Sequence, residues 1–447
     1  VNVKIIAYLI MAVLGFLISV IIPFSIKYSP RNFAYIPIIS WGVLYILLVL
    51  LWPTLTQRFS VTPNEYVKEK NYIANNIEFT RKAYGLDKIE ESYFPANSKI
   101  PSSILTDHSE TLNNIRLWDH KPLKDVYTQT QLIRPYYDFK DVDVDRYIID
   151  GKYRQVMLAT REVAPEKLDE DKQTWVNVFL QYTHGYGLAM SPVNSFDSQG
   201  KPYFYAKDIP SDGVIKVRSL NGKLQENLSV ENPRIYYGES ITPYVIVNTN
   251  TMEVDYQEKG KEGKEGVLKR HNYKGKGGVL LSNFLIKFVY AWKFSDINLM
   301  ISNEIHSGSK IQYHRNIQDR VAKLVPFLEL DSDPYIVLHD GKLKWIQDAY
   351  TFSNNFPYSE PFEGKFNYIR NSVKAVIDAY DGTVMFYVAD TSDPLIDTYS
   401  KIFPNIFRPL SEMPPDLREH IRYPIDIFKI QSNKYLEYHM QDSQIFY

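Results

Sequence analysis

The sequence contains no cysteine, which excludes disulfides, thiolate metal sites and cysteine nucleophiles. The absence leaves the compartment open, because exported proteins also dispense with the residue. Neither charge is in excess: 51 Lys and Arg stand against 52 Asp and Glu, so no basic field exists to neutralise a nucleic-acid backbone. The phosphate-loop spacing Gly-x-x-x-x-Gly-Lys-Ser/Thr and the dinucleotide fingerprint are both missing, so neither nucleic acid nor nucleotide is an expected partner. Also missing are a Gly-x-Ser-x-Gly elbow and a His-Glu-x-x-His helix, the marks of a triad hydrolase and a zinc protease.

What is present is a chain of 447 residues, 45% hydrophobic and 23% charged, a balance that buries an ordinary core. Tyrosine is the outlier, with 35 residues. Ile5 to Ile22 is broken only by Tyr8 and Ser19, and Phe33 to Trp52 carries no charge. Each run is long enough to cross a hydrocarbon core of about 30 Å. Two core helices or a signal peptide explain such a pair less well, with only ten residues between them. That connection carries Lys27 and Arg31 and no acid, which by the positive-inside rule makes it cytoplasmic and puts the large domain outside. The chain begins at Val1, and a processed or truncated product with upstream spans missing is the expectation.

The fold class expected is a membrane-anchored α+β protein: two transmembrane helices, then a large mixed domain with antiparallel hairpins and C-terminal helices. Residues 1–57 form the transmembrane hairpin and 58–90 a connecting helix, started by Thr62-Pro63 with Glu65 and stopped by Gly85. Residues 91–256 read as mostly β, with strand-like runs at 155–160, 175–182, 214–217 and 244–247. Residues 257–278 read as a flexible Gly/Lys/Glu loop. Residues 279–447 read as α+β, opening with a helical stripe from Leu280 to Trp292 and further helices over 296–306 and 311–325. Asp340-Gly341 and Asp381-Gly382 then turn two hairpins. Prolines at 394, 414 and 424 start the terminal helices.

Seven segments carry a resemblance: Pro63-Asn64-Glu65-Tyr66, Tyr182-Thr183-His184-Gly185-Tyr186-Gly187, Asn232 to Glu239, Asp331-Ser332-Asp333-Pro334-Tyr335, Asn367 to Lys374, Asp378 to Gly382, and Tyr438-His439-Met440. In this order they resemble the uncharacterised UPF family zero-one-eight-two of large bacterial membrane proteins. The resemblance implies a multi-pass plasma-membrane protein with several N-terminal spans and a large extracytoplasmic domain. It implies no activity and no catalytic residues.

Candidate chemistry is sparse. His184-Gly185 echoes an oxyanion-hole turn. Asp331 with Asp333, and Asp390 with Asp393, are acidic turns ahead of prolines; they suit general acid/base work if they converge and helix caps if they do not. Asp141, Asp143 and Asp145 alternate like the first calcium ligands, yet Arg146 and Lys152 stand where an EF-hand needs Gly and Glu. On a strand they share a face, where a divalent cation is the one cofactor that the sequence leaves open. Gly275, Lys276, Gly277 and Gly278 precede an expected helix at Val279, a place for an anion. His420 and His439 with Asp426 make a metal site only if the last helices converge. The function expected is a scaffold, partner-binding or assembly factor for envelope proteins, working through a tyrosine-rich surface. A membrane-proximal hydrolase or transferase is the alternative, and a component of a transport complex the second. The bilayer and other envelope proteins are the expected partners.

Overall fold

The computed structural model describes residues 2–28, 35–94, 103–209, 215–240, 243–257 and 266–447. Arg31, Val214 and residues 258–265 of the expected loop lie outside these. The chain divides into two compact units, one of residues 1–88, 355–362 and 433–447, the other of 89–354 and 363–432.

In the first unit, α1 (Asn2–Tyr28) packs on α2 (Tyr35–Tyr84) through Ala7, Met11 and Val49. The Trp41 indole donates to the Met11 carbonyl at 3.3 Å. Both helices are long and apolar enough to cross a membrane, and only 11% and 6% of their apolar windows are buried. Little of either helix is thus covered by the described residues.

The expected helix start at Thr62 is a correction, because α2 runs straight through it. Thr62 Oγ1 donates back to the Gln57 carbonyl at 2.9 Å instead of capping. A wide π turn at Gln57–Val61 followed by a 3-10 turn at Thr62–Asn64 accommodates Pro63, whose ring and missing N–H break regular α geometry. The stop falls as expected: Gly85, at φ 70°, receives the end of α2 and donates to the carbonyls of Arg81 and Lys82.

The second unit begins with helical turns, Ile104–Asp107, Ser109–Leu112 and α3 (His120–Gln131), where the sequence reads as β. Asp119 caps α3 by accepting from the Lys121 N–H. An antiparallel sheet follows, built on β1 (Tyr137–Phe139), β2 (Asp143–Ile149) and β3 (Lys152–Val163). After it, β4 (Gly185–Tyr186) leads into β5 (Leu188–Pro192), which joins β3. The expected strand at 175–182 is helical. Trp175, Val176, Phe179 and Leu180 recur at helical spacing and face one cluster, in a turn that widens to π geometry over Asn177–Gln181, so the period is not 2.

β4 pairs with β6 (Arg234–Ile235), and β7 (Val245–Val247) is the strand expected at 244–247. β8 (Glu253–Gln257) and β9 (Leu268–His271) form a hairpin, so part of the stretch read as loop is ladder. β10 (Val279–Leu280) pairs with β11 (Lys310–Gln312). Between them lie α4 (Phe284–Phe294), capped by Asn283, and the single turn α5 (Asn298–Ile301). The helix read over 311–325 is shorter, α6 (Ile317–Leu324), because Asn316 caps it and the preceding residues are β11.

The six-stranded sheet carries β12 (Glu329–Leu330), β13 (Tyr335–His339), β14 (Lys342–Ser353), β15 (Tyr368–Asp378), β16 (Val384–Val388) and β17 (Phe407–Pro409). Both expected hairpins are there, with Leu338 opposite Leu343 and Ile377 opposite Val384. Asp340 and Gly341 both take positive φ, 49° and 66°, as a two-residue hairpin of this hand requires. The terminal helices are α7 (Pro394–Ile402), the single turn α8 (Pro415–Arg418) and α9 (Ile425–Tyr438).

The main core joins one face of this sheet, through Trp345, Val373, Ala375 and Ile377, to Val156, Leu158 and Leu188 of the first. Tyrosine fills the interior: Tyr127, Tyr137, Tyr186, Tyr236, Tyr237, Tyr335 and Tyr350 are among the largest fully buried side chains. Others, Tyr93, Tyr203, Tyr358 and Tyr423 among them, are exposed, so tyrosine serves both the core, where ring area is buried and each hydroxyl can find an acceptor, and the surface.

Candidate functional site

A buried group of ionisable side chains assembles where β4, β6 and β8 meet. His184 precedes β4, Arg234 opens β6, and β8, irregular in register at Asp255, brings both Glu253 and Asp255 to His184. Gly185 permits the close approach: a Cβ there would lie 2.1 Å from the Arg161 carbonyl oxygen. His184 Nε2 is 3.0 Å from Asp255 Oδ1 and Nδ1 is 3.0 Å from Thr183 Oγ1. The Thr183 hydroxyl donates to Glu253 Oε2 at 2.6 Å, so its oxygen accepts from Nδ1–H. Both ring nitrogens therefore face oxygen acceptors, an arrangement that favours the imidazolium. Arg234 closes a two-pronged pair on Asp255, Nε to Oδ1 at 2.7 Å and Nη2 to Oδ2 at 2.6 Å. Glu253 also accepts from the Tyr236 hydroxyl at 2.6 Å and the Tyr273 N–H at 2.9 Å. The Tyr236 ring stacks on His184 at 4.7 Å.

Burial alone would keep His184 neutral, but its bonds to Asp255 and Glu253 raise its pKa above the usual value. Burial also opposes ionisation of Asp255, and the bonds from His184 and Arg234 reverse this, holding its pKa well below the carboxylate range. Glu253 is lowered in the same way, with His184 as its largest counterweight to burial. Close by, burial and then the charge of Arg234 push His271 down to about 4. Two anions meet two cations, and the network is electrically closed.

Of its members, Arg234 lines a cavity of about 220 Å³ with Asn232, Lys342, Leu343, Asp378, Tyr380 and Asp381. Both ring nitrogens of His184 are taken up within the network. In the His-Gly turn read as an oxyanion hole, the Gly187 N–H donates to the Pro233 carbonyl at 2.8 Å.

The other nominated groups lie elsewhere, and none of them lines this cavity. Asp331 is buried and accepts from the Tyr350 hydroxyl and from the N–H groups of Asp333 and Asp426, while Asp333 pairs with Arg422 at 2.6 Å. Asp393 caps α7 and also accepts from Tyr368 at 2.7 Å, Thr351 at 2.5 Å and Ser372 at 2.7 Å. Asp390 is bound by the N–H and hydroxyl of Ser392. Both acidic turns are therefore caps and anchors.

Asp143 and Asp145 do share a buried face of β2, while Asp141 lies before the strand and accepts from the Val142 N–H. Asp143 accepts from the Ile336 N–H at 3.0 Å, and the Tyr147 hydroxyl accepts from the Leu338 N–H at 2.8 Å. This face of β2 thus satisfies the free edge of β13. Asp145 pairs with His420 at 2.9 Å, so the grouping of His420 with His439 and Asp426 is corrected; His439 bonds its own helix at Tyr435 and Asp426 bonds the Ser332 N–H. Among the described residues no group of three or more His, Asp or Glu is arranged to hold a metal ion.

The anion reading of Gly275, Lys276, Gly277 and Gly278 is a further correction: Val279 begins a strand, and α4 starts only at Phe284. Those glycines serve close packing, since a Cβ on Gly277 would fall 2.2 Å from the Asp381 carbonyl oxygen and the Gly277 N–H donates to the Tyr273 hydroxyl. The sequence reading missed Arg234, Glu253 and Asp255. The available signal was the Glu-x-Asp alternation inside an otherwise apolar strand, Val254 and Tyr256 being buried too.

Among known proteins, a relative from Pelotomaculum thermopropionicum is 51% identical over 92% of this chain and 43% of its own length. One from Desulforamulus reducens is 45% identical over the whole chain and 46% of its own length. One from Trichodesmium erythraeum is 44% identical over the whole chain and 49% of its own length. Each is described only as a UPF0182 protein, and the chain spans about half the length of these relatives. No solved structure matches. The model of the family described as "Uncharacterised protein family (UPF0182)" matches residues 1–447, and the chain belongs to that family.

Proposed function

We propose that this chain is part of a bacterial plasma-membrane protein, anchored by α1 and α2, whose extracytoplasmic domain is a non-enzymatic scaffold or assembly factor for other envelope proteins. The observation that carries the reading is the state of the groups nominated for catalysis. Asp331, Asp333, Asp390, Asp393 and His184 are each already engaged in holding turns, helix starts or the buried ion network. A catalytic site needs at least one group left free to exchange a proton or attack. The larger unit meanwhile exposes apolar side chains, Leu105, Ile115 and Leu117 among them, which are the material of partner interfaces.

The test places a photoreactive benzoylphenylalanine at Leu117 or Leu105 of the tagged protein in its own membranes. A discrete protein adduct, recovered from both positions and absent from the same residue placed at Tyr153, is the expected result. Adducts to lipid or glycan alone would contradict the scaffold reading.

A further inference from the structure

The helix α4 has the sequence Phe-Leu-Ile-Lys-Phe-Val-Tyr-Ala-Trp-Lys-Phe, with two lysines and no acid. Its inner side, Ile286, Tyr290, Ala291 and Phe294, packs into a core cluster. Its outer side is apolar as well. Phe284, Leu285, Phe288, Val289 and Trp292 follow at helical spacing, and Trp292 is 80% exposed, Phe284 74% and Leu285 68%. Ile297 and Ile301 extend the stripe onto α5. A helix apolar all round is ordinarily buried all round, so this face is built for a cover.

The cover is identified by charge and by tethering. Lys293 flanks the stripe, its ammonium 4.0 Å from the Tyr313 ring. Burial lowers the pKa of His314, and the charges of Lys293, Lys323 and Arg320 add to this against the single opposing charge of Asp319. The larger unit therefore presents aromatic and aliphatic side chains beside a cationic rim, although the sequence beyond residue 57 carries 48 basic against 52 acidic side chains. Within α4 itself, Trp, Phe and Leu beside two lysines and no acid is the composition of a helix that lies in a membrane interface. The chain that holds it also holds two helices able to cross a bilayer, so such a surface is tethered to it.

We infer that the exposed face of α4 seats on the surface of a bilayer containing anionic phospholipid. This rests on the membrane anchoring proposed above and is independent of any protein partner.

The absence of cysteine makes the test direct. The full chain, carrying Trp292→Cys or Tyr153→Cys labelled with a polarity-sensitive nitrobenzoxadiazole dye, is reconstituted into vesicles of phosphatidylcholine alone or mixed with phosphatidylglycerol. Headgroup-proximal doxyl lipid serves as the quencher. The expected result is roughly twofold or greater quenching at position 292 in the mixed vesicles, weaker quenching in the neutral ones, and none at position 153. Lys293→Glu in the 292-labelled chain brings the mixed vesicles down to the neutral level. Position 292 behaving like position 153 would overturn the inference. So would blue-shifted emission without quenching, which marks cover by a second copy of the chain, and so would equal quenching in both vesicles, which removes the anionic assignment. Vesicle flotation separates the two readings: a chain that floats without quenching at 292 keeps its anchor and loses the seated helix.

Discussion

Asp255→Ala is expected to destabilise the protein by about 3–5 kcal/mol, the usual effect of removing one partner from a buried ion pair. The loss is large because Asp255 is the shared acceptor of two cations, His184 and Arg234, and both would be left short of their counterion. Chemical denaturation in detergent, followed by tryptophan emission, measures it. A loss below about 1 kcal/mol would mean that the network carries no more than an exposed pair does.

The same network sets a pH window. The pKa values of Glu253 and Asp255 are depressed in the folded protein, so their contribution is present above the ordinary carboxylate values near 4 and is lost as pH falls through the lower folded values. That of His184 is raised, so its contribution is full below about 6.5 and is lost as pH rises through the folded value. Stability from these three groups is thus greatest from about pH 4.5 to 6.5 and declines on both sides, while the neighbouring His271, held down to about 4, subtracts from it as pH falls from about 6.5. In Asp255→Ala both flanks should flatten, and flanks unchanged from the parent protein would contradict the assignment of the charges.

The second large effect lies at the centre of the six-stranded sheet. Asp348 and Lys374 face each other in register across β14 and β15, with side chains 2% and 3% exposed, and form a buried ion pair. Lys374→Met alone is expected to cost about 3–5 kcal/mol, because the carboxylate stays buried without its partner. The double variant Lys374→Met with Asp348→Leu is expected to recover to within about 1 kcal/mol of the parent, or to exceed it. The double-variant cycle in denaturant measures the coupling. Single and double variants of equal stability would show that the pair is not a closed unit.

This pair also shows where sequence reading ends. Lys374 sits between Val373 and Ala375, which suggests a strand with one wet face. Yet Val373, Ala375 and Ile377 face the main core, and Val376 faces a second cluster with Tyr335, Ile346 and Tyr387. A strand covered on both sides hides a buried charge inside an ordinary alternation. The two Asp-Gly hairpins were legible because the turn chemistry is local. The stop at Gly85 was legible for the same reason, whereas the Thr62 start was not, since α2 continues through it in turns of another pitch.

The ion network escaped notice because its parts are far apart in sequence. His184 alone looks like a loop histidine, and only the pairing of β4 with β6 brings Arg234 beside Asp255. Tyrosine content did not tell surface from core, because a phenol suits either place as long as its hydroxyl finds an acceptor. Here Tyr236 finds Glu253 and Tyr350 finds Asp331.

A scaffold for envelope proteins must stand outside the cytoplasmic membrane, and labelling of a single cysteine tests this most directly. Tyr153 is exposed on β3 of the larger unit, so Tyr153→Cys supplies the only thiol in the chain. Reaction with a membrane-impermeant maleimide on intact cells, to the same extent as after lysis, is the predicted result. Labelling that appears only after lysis would put the domain in the cytoplasm and contradict the account.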